Sequence, residues 1–392
     1  MDPSSSRSVR MAVETIRSQI RLGKIKAGAP LPTENSLAEL LDLSRGTVRR
    51  AIEVLAQSGD ITRKPYSRPI VAGTRSETGP FGSQVHVWIS HPIADDATLQ
   101  LLRGVSNGLM GTSFRLVVRE PNRFYADFVK SDEREFLTDL LNDDSAFSAI
   151  IERDADARND DLYKMVVEKG KHLVFVDIPP PPGVAADYVG TANISASRRC
   201  TEHLLELGHT RIAYVSESAT PYTVQERVKG FWRALRIAGL EGSGTVLFGS
   251  ELEPANISKV PNGGLYGRGI SPSAYYNELT QRLVREVLSM DPRPTAIVAS
   301  CDVLAHWVCA VLEDMGFQVP QNFAVVGFDW LARWDDPSRD VLSSASQDFE
   351  GFGYHAAEVL LDRASGEGPT TPRQILLPAP TIVRASTAGN SA

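Results

Sequence analysis

Leu37-Ala38-Glu39-Leu40-Leu41-Asp42-Leu43-Ser44-Arg45-Gly46-Thr47-Val48-Arg49-Arg50 decides the fold of the amino-terminal part of this 392-residue chain. Leu37, Leu40 and Leu41 form the apolar face of a short helix predicted over Glu34–Leu41, with Thr33 as its N-cap. A hydroxyl there accepts a hydrogen bond from a first-turn N–H that has no partner inside the helix. Asp42-Leu43 makes a tight turn, and Ser44 caps a third helix predicted to reach about Ser58. Val48, Ile52 and Leu55, spaced by four and three, face inward, while Arg45, Thr47, Arg49 and Arg50 lie elsewhere around the first turns.

Working outward, Val9, Val13, Ile16 and Ile20 stripe an amphipathic helix over Val9–Leu22, with Arg10, Arg17 and Arg21 off the stripe. Gly28-Ala29-Pro30-Leu31-Pro32 cannot continue a helix. Beyond the third helix, Ile61–Lys64, a Pro-Tyr-Ser-Arg-Pro turn and Ile70-Val71 read as a short hairpin. Helix, helix, tight turn, helix, hairpin is the order of a winged helix-turn-helix.

The charge is split in the sense that DNA binding requires. Residues 1–75 carry 13 basic and 7 acidic side chains, a net +6, inside a chain whose total is −7. The other 317 residues carry 28 basic and 41 acidic side chains, a net −13. A basic head on an acidic body suggests phosphate contact at one end only.

The run Gly28–Glu34, with Leu37-Ala38, Leu43–Ala51, Leu55 and Gly59, resembles the DNA-binding domain of the GntR family of bacterial regulators over residues 9–71. The resemblance implies that Thr33, Glu34, Arg45, Thr47 and Arg49 sit at double-stranded DNA. Arg45, Thr47 and Arg49 are expected in the major groove beside Ser44, and Arg50, Arg63 and Lys64 at the backbone. The wing departs from the family's glycine-rich tip, reading Arg63-Lys64-Pro65-Tyr66-Ser67-Arg68-Pro69.

After a Gly/Ser/Pro-containing stretch at 73–84, predicted to be a linker, strand and helix patterns alternate. Strands are expected at Val85–Ser90, Phe114–Val118, Ala149–Ile151, His172–Asp177, Arg211–Ser216, Thr245–Phe248, Thr295–Ser300 and Phe323–Phe328. Helices fall between them, among them Asp132–Leu141, which Ser131 would cap. Repeated alternation over this length implies two doubly wound parallel sheets, a two-lobed α/β architecture. Ligands of such sheets bind beyond the carboxyl ends of the strands. Residues after strands therefore become candidates: His91 after the first strand, Asp302 after Thr295–Ser300, and Asp329-Trp330 after Phe323–Phe328. Arg227, near the start of a helix, can reach the same crevice. A carboxylate, an arginine and aromatic faces suit a polyhydroxylated ligand.

Cys200–Ala213, Gln225–Phe231, Pro294–Ile297 leading to Asp302, Gly316–Pro320 leading to Val325–Asp329, and Val383–Thr387 resemble the lactose/galactose repressor family, most strongly after Pro179. That resemblance implies a periplasmic-binding-protein-like effector and dimerisation domain over 85–387, with Arg227 and Asp302 contacting effector. The chain has Ala192-Asn193 where the family usually has Asp-Asn, Cys301-Asp302 where it has Asn-Asp, and a long loop at 251–272. Tyr222, Tyr266 and Trp330 are candidates for the ring that stacks on the ligand.

A GntR-like head (1–72) on a galactose-repressor-like body resembles arabinose-repressor-type regulators. The expectation is a cytoplasmic, homodimeric transcriptional regulator, a repressor relieved by a sugar or sugar derivative, on a near-palindromic operator. No cofactor, metal or membrane is expected. An enzyme reading finds no GxxxxGK[ST], HExxH or GxSxG pattern to support it. A ligand-binding protein whose head contacts something other than DNA is the alternative.

Overall fold

The structure is a computed structural model that describes residues 7–21, 25–26, 28–41, 43–57, 61–62, 68–71, 84–91, 96–122, 126–153, 158–252, 272–329, 341–366 and 369–388. The chain divides into two compact units, the amino-terminal head and a large α/β body.

In the head, α1 (Arg7–Arg21), α2 (Glu34–Leu41) and α3 (Arg45–Gln57) enclose one core of Val9, Ile16, Leu31, Leu37, Val48, Ile52 and Leu55. Apart from Leu31, these are the residues whose spacing predicted the helices, and their burial is the reason the helices persist. β1 (Ile61–Thr62) and β2 (Ile70–Val71) pair antiparallel, Ile61 with Val71 and Thr62 with Ile70. The proline-rich run gains a role beyond ending α1, because Gly28, Ala29 and Leu31 all bond with β2 or Pro69 as a third wing strand. Gly28 adopts φ +75°, a conformation that costs glycine little.

The body holds two six-stranded sheets of matching order. The first runs β13-β7-β6-β5-β3-β4, from β3 (Gln84–Ile89), β4 (Arg115–Arg119), β5 (Ala146–Glu152), β6 (His172–Val176), β7 (Asp187–Thr191) and β13 (Gln374–Leu377). The second runs β14-β12-β11-β10-β8-β9, from β8 (Ile212–Ser216), β9 (Gly244–Phe248), β10 (Ala296–Ala299), β11 (Ala324–Asp329), β12 (Ser343–Ser346) and β14 (Thr381–Ile382). All pairings are parallel except that of β12 with β14. Central strands such as β5 and β8 are apolar and buried along most of their length, as strands covered by helices on both faces must be.

Helices α4 (Asp96–Leu109), α5 (Ala126–Asn142), α6 (Asp160–Glu168) and α11 (Phe349–Ser365) belong to the first lobe, and α7 (Asn193–Glu206), α8 (Tyr222–Ile237), α9 (Pro272–Ser289) and α10 (Asp302–Asp314) to the second. Trp88, Phe136, Tyr163 and Phe175 centre the first lobe's core. Two cores line the second lobe, one around Leu283, Val308 and Phe323, the other around Tyr214, Phe231 and Phe328. The chain crosses between lobes three times: after β7, after β12, and between β13 and β14. The crossings are bonded together, Ala192 N–H to Leu377 O (2.9 Å) and Ser346 N–H to Pro380 O (2.8 Å).

Two local expectations change. α5 begins at Ala126, so Ser131 is an exposed residue inside the helix rather than its cap. β7, β12, β13, β14 and α11 are absent from the sequence reading. β12 is Ser-Ser-Ala-Ser, buried yet without apolar alternation, held instead by Ser343 N–H to Ser386 Oγ and Ser343 Oγ with Thr387 Oγ1 (2.8 and 2.7 Å). The predicted 73–84 linker lies outside the described residues apart from Gln84.

Candidate functional site

Two sets of polar groups stand out, one in each unit. In the head, α2 and α3 begin alike. Thr33 Oγ1 accepts the Ser36 N–H and meets the Ser36 hydroxyl (3.2 and 2.8 Å); Ser44 Oγ accepts the Thr47 N–H and meets the Thr47 hydroxyl (3.2 and 2.8 Å). Both caps match the sequence reading. Arg45 and Arg50 are exposed on α3. Arg49 is exposed too, but its Nε and Nη2 donate to the Glu34 carboxylate (3.2 and 2.9 Å). That carboxylate holds the guanidinium above its ordinary pKa. In the wing, Arg68 spends its Nε and Nη2 on the Leu31 carbonyl (3.1 and 2.5 Å), bracing the Gly28–Leu31 strand. Arg63 and Lys64 lie outside the described residues.

In the body, polar groups gather at the carboxyl ends of the strands. Arg227, the sixth residue of α8, is buried at its centre, with a side chain only 6% exposed. Its Nε donates to Asn193 Oδ1 (2.9 Å), and its Nη1 donates to Ser300 O (2.6 Å) and approaches Asp329 Oδ1 (3.4 Å). The guanidinium lies 3.7 Å from the centre of the Phe328 ring, a cation–π contact made in a desolvated setting. Gln347 Nε2 donates to the same Asp329 oxygen (2.7 Å) while its Oε1 accepts the Thr191 hydroxyl (2.5 Å). Asn193 Nδ2 reaches Thr191 O (3.3 Å). The bonds close a ring: Arg227, Asp329, Gln347, Thr191, Asn193. Thr191–Asn193 is the first lobe crossing and Gln347 lies in the second, so the ring ties the buried cation to the hinge.

Asp302, the first residue of α10, accepts the Ser344 hydroxyl at Oδ1 (2.6 Å) and lies where the helix N-terminus favours negative charge. It lies close against β11 because position 327 is glycine; a Cβ there would collide with Asp302 Oδ1. Burial pushes the Asp329 carboxyl up to about 8, with Arg227 opposing and Asp302 and Asp177 adding. Asp177, just after β6, is also raised by burial, and Glu152 at the end of β5 adds to the shift. Glu152 Oε1 meets His91 Nδ1 (3.2 Å), and His91 itself is exposed. Burial pushes the Cys301 thiol up to about 12, which removes it as a thiolate nucleophile at neutral pH.

Of the predicted effector residues, Arg227 and Asp302 are buried at the carboxyl ends of the second sheet. His91 is at the corresponding end of the first sheet, and Tyr222 is half-buried at the first position of α8. Trp330 and Tyr266 lie outside the described residues, as does most of the 251–272 loop. Asn193, Gln347, Glu152 and Asp177 were not among the predicted site residues, whereas Asp329 was a candidate as a residue that follows a strand. All but Asn193, which opens α7, end or directly follow a strand, so the same rule applied to every strand finds them. Among the described residues no group of three or more His, Cys, Asp or Glu has metal-site geometry, and no helix is long and apolar enough to cross a membrane.

Comparison with known proteins adds family matches in both units. Residues 9–69 match the model for bacterial regulatory proteins of the gntR family. Residues 201–387 match a periplasmic binding protein-like domain, and 132–253 the periplasmic binding proteins and sugar binding domain of the LacI family. The HTH-type transcriptional regulator CelR of Thermobifida fusca is 29% identical over 58% of this chain and 60% of its own length, so the match spans less than two thirds of that relative. The arabinose metabolism transcriptional repressor of Geobacillus stearothermophilus is 24% identical over 95% of this chain and 96% of its own. The solved complex of the regulator CelR with cellobiose shares the fold at TM-score 0.58 and 22% identity, over 91% of this chain and all of that one.

Proposed function

From a chain that joins a GntR-family helix-turn-helix domain to a LacI-type periplasmic-binding-protein-like domain, in the arrangement of arabinose-repressor-type regulators, we propose a DNA-binding transcriptional repressor released by a sugar. It is a regulator and not an enzyme. The observation that carries the effector half is the buried Arg227, fixed by Asn193, Ser300 and Asp329 at the strand ends where a LacI-type domain takes its ligand. Arg227 and Asp302 act as polar anchors for sugar hydroxyls, with Tyr222 and Trp330 as candidate rings and His91 on the opposite lobe. Sugar is the ligand class of choice because full-length likeness runs to an arabinose repressor and CelR has been solved with cellobiose.

In the head, Arg45, Thr47 and Arg49 read base edges in the major groove, Ser44 and Thr33 present helix N-termini to phosphate, and Arg50, Arg63 and Lys64 neutralise backbone. Glu34 orients Arg49. Two heads of a cytoplasmic homodimer read a near-palindromic site, with 1–72 as reader, 73–84 as linker and 85–387 as sensor. Ligand closes the lobes around Arg227 and strains the hinge ring, and a coupling of ~1–3 kcal/mol changes operator affinity 5–150-fold.

The test is operator binding by the full chain, measured against salt and against a sugar panel. The expected results are a dimer in sedimentation, a steep fall of affinity with salt, and release by one sugar. Weak, salt-insensitive DNA binding combined with tight sugar binding would move the chain to the alternative of a sensor whose head contacts another partner. Arg45→Ala is expected to abolish operator recognition with sugar affinity unchanged.

A further inference from the structure

The charge balance around Arg227 limits what kind of sugar the site accepts, on the reading of these strand ends as the effector site. Arg227 is the buried cation there, and Asp329, Asn193 and Ser300 already engage its Nε and Nη1. Carboxyl groups from both lobes gather here: Asp329 bonds to it and has Asp302 beside it in the second lobe, and in the first lobe Asp177 feels its charge with Glu152 beside Asp177. The other positive groups nearby have partners of their own. Lys229 pairs with Glu226 (2.5 Å), Arg153 donates Nε to Pro179 O (3.0 Å), and His91 faces Glu152.

The first-lobe pair differs from the second-lobe pair. Asp302 and Asp329 accept bonds from Ser344 and Gln347, but among the described residues Asp177 Oδ1 and Glu152 Oε2 are buried oxygens without a hydrogen-bond partner. Buried carboxyl oxygens that lack donors need them, and hydroxyl groups supply donors. A ligand carboxylate or phosphate supplies none and adds like charge at short range.

We infer that Glu152 and Asp177 are specificity-determining residues that restrict this site to uncharged polyhydroxylated ligands and reject sugar acids and sugar phosphates. Discrimination of this kind works by penalty against the wrong ligand as much as by attraction to the right one.

The test uses the full-length protein and matched sets: arabinose, arabinonate and arabinose 5-phosphate; ribose, ribonate and ribose 5-phosphate; cellobiose and cellobionate. Titration calorimetry at constant ionic strength is expected to find at least one neutral member bound, with its acid and phosphate at least about tenfold weaker. In Asp177→Asn/Glu152→Gln the ratio between neutral and anionic members is expected to fall to about threefold or less. Because the ratio is taken within each variant, general destabilisation cancels. The single variant Glu152→Gln carries the test if the double variant does not fold. An acid or phosphate that binds as tightly as its neutral parent, or a ratio unchanged in the variants, overturns the charge rule and leaves the sugar reading standing. No binding by any member overturns the sugar reading and the charge rule with it.

Discussion

Asp177 and Asp329 occupy equivalent places in the two lobes. One directly follows β6 and the other ends β11, and these strands hold the same slot in sheets of matching order. They are also the two non-glycine residues with positive φ among the described residues, +60° and +118°. Such backbone costs roughly 1–3 kcal/mol each and is kept only where surroundings over-determine it. Asp329 Oδ1 lies 3.4 Å from Arg227 Nη1, and the charge of Arg227 acts on both carboxyls. The repeated lobe thus supplies one acid from each side to a single buried cation.

That pairing predicts a pH dependence of folding. Both carboxyls are raised in the folded protein, chiefly by burial, and Asp329 reaches about 8 from an ordinary 3.8. An acid raised on folding contributes stability that is fully present below its unfolded pKa and is lost as pH rises through its folded one. Stability of the body should therefore fall between about pH 4 and pH 8, by an amount on the order of a few kcal/mol from Asp329. Denaturant unfolding at pH 5, 7 and 8.5 measures this. Asp329→Asn should flatten the slope, and an equally steep slope in the variant would assign the effect elsewhere.

Gln347 predicts a separation of binding from response. Its amide accepts from Thr191 on one crossing and donates to Asp329 beside Arg227, while touching no predicted effector anchor itself. Gln347→Leu keeps the volume and removes both bonds, leaving a buried hydroxyl unpaired at a cost of about 1–3 kcal/mol. Sugar affinity should stay within about threefold of wild type. The sugar-induced change in operator affinity should shrink toward one. A wild-type response measured by fluorescence anisotropy would exclude the hinge ring as the link.

How much of this was legible beforehand depended on the kind of signal. The head was readable nearly residue by residue, because Val48, Ile52 and Leu55 carry a helical period and Thr33 and Ser44 carry cap chemistry. Most central strands were readable as apolar runs. β12 was not, because its four residues satisfy their burial through hydroxyl bonds to Ser386 and Thr387 far along the chain. α11 does carry a helical stripe, Phe352, Ala356, Val359 and Leu360 at i, i+4, i+7 and i+8, so that helix was legible in the sequence and went unread. In the site, Arg227 and Asp302 were visible through resemblance to a known family. The roles of Gln347 and Asp177 depend on partners 156 and 50 residues away, Thr191 and Arg227, and no local pattern announces such pairs.

The first lobe predicts a sensitivity to single methyl groups. Where α4 meets α11, a Cβ at Gly104 would run into the Glu350 carbonyl and the Tyr354 backbone nitrogen, and one at Gly353 into Leu101 O. Backbone atoms cannot rotate away, so Gly104→Ala forces the helices apart. The expected cost is ~1–3 kcal/mol or more, about 2–4 °C in Tm for each kcal/mol in a body of this size. Gly242→Ala, which meets nothing within 4 Å, serves as the control and should leave Tm unchanged. Equal melting of the two variants would show that the interface yields.

The Glu34–Arg49 pair predicts how the head separates operator from bulk DNA. On the face proposed to meet DNA a carboxylate is repulsive to phosphate, yet Glu34 accepts both Nε and Nη2 of Arg49 and so fixes the guanidinium plane. Orientation of that kind matters for a bidentate contact with a guanine edge and hardly at all for phosphate, which any nearby cation satisfies. Glu34→Gln removes the like charge and loosens the arginine together. Binding to random-sequence DNA should therefore tighten a fewfold, while operator binding weakens by about tenfold as one base contact loses its geometry. The ratio of the two, measured by competition at fixed salt, should fall by one to two orders of magnitude. If Glu34 acted only as a repulsive charge, both affinities would rise together and the ratio would stay where it is.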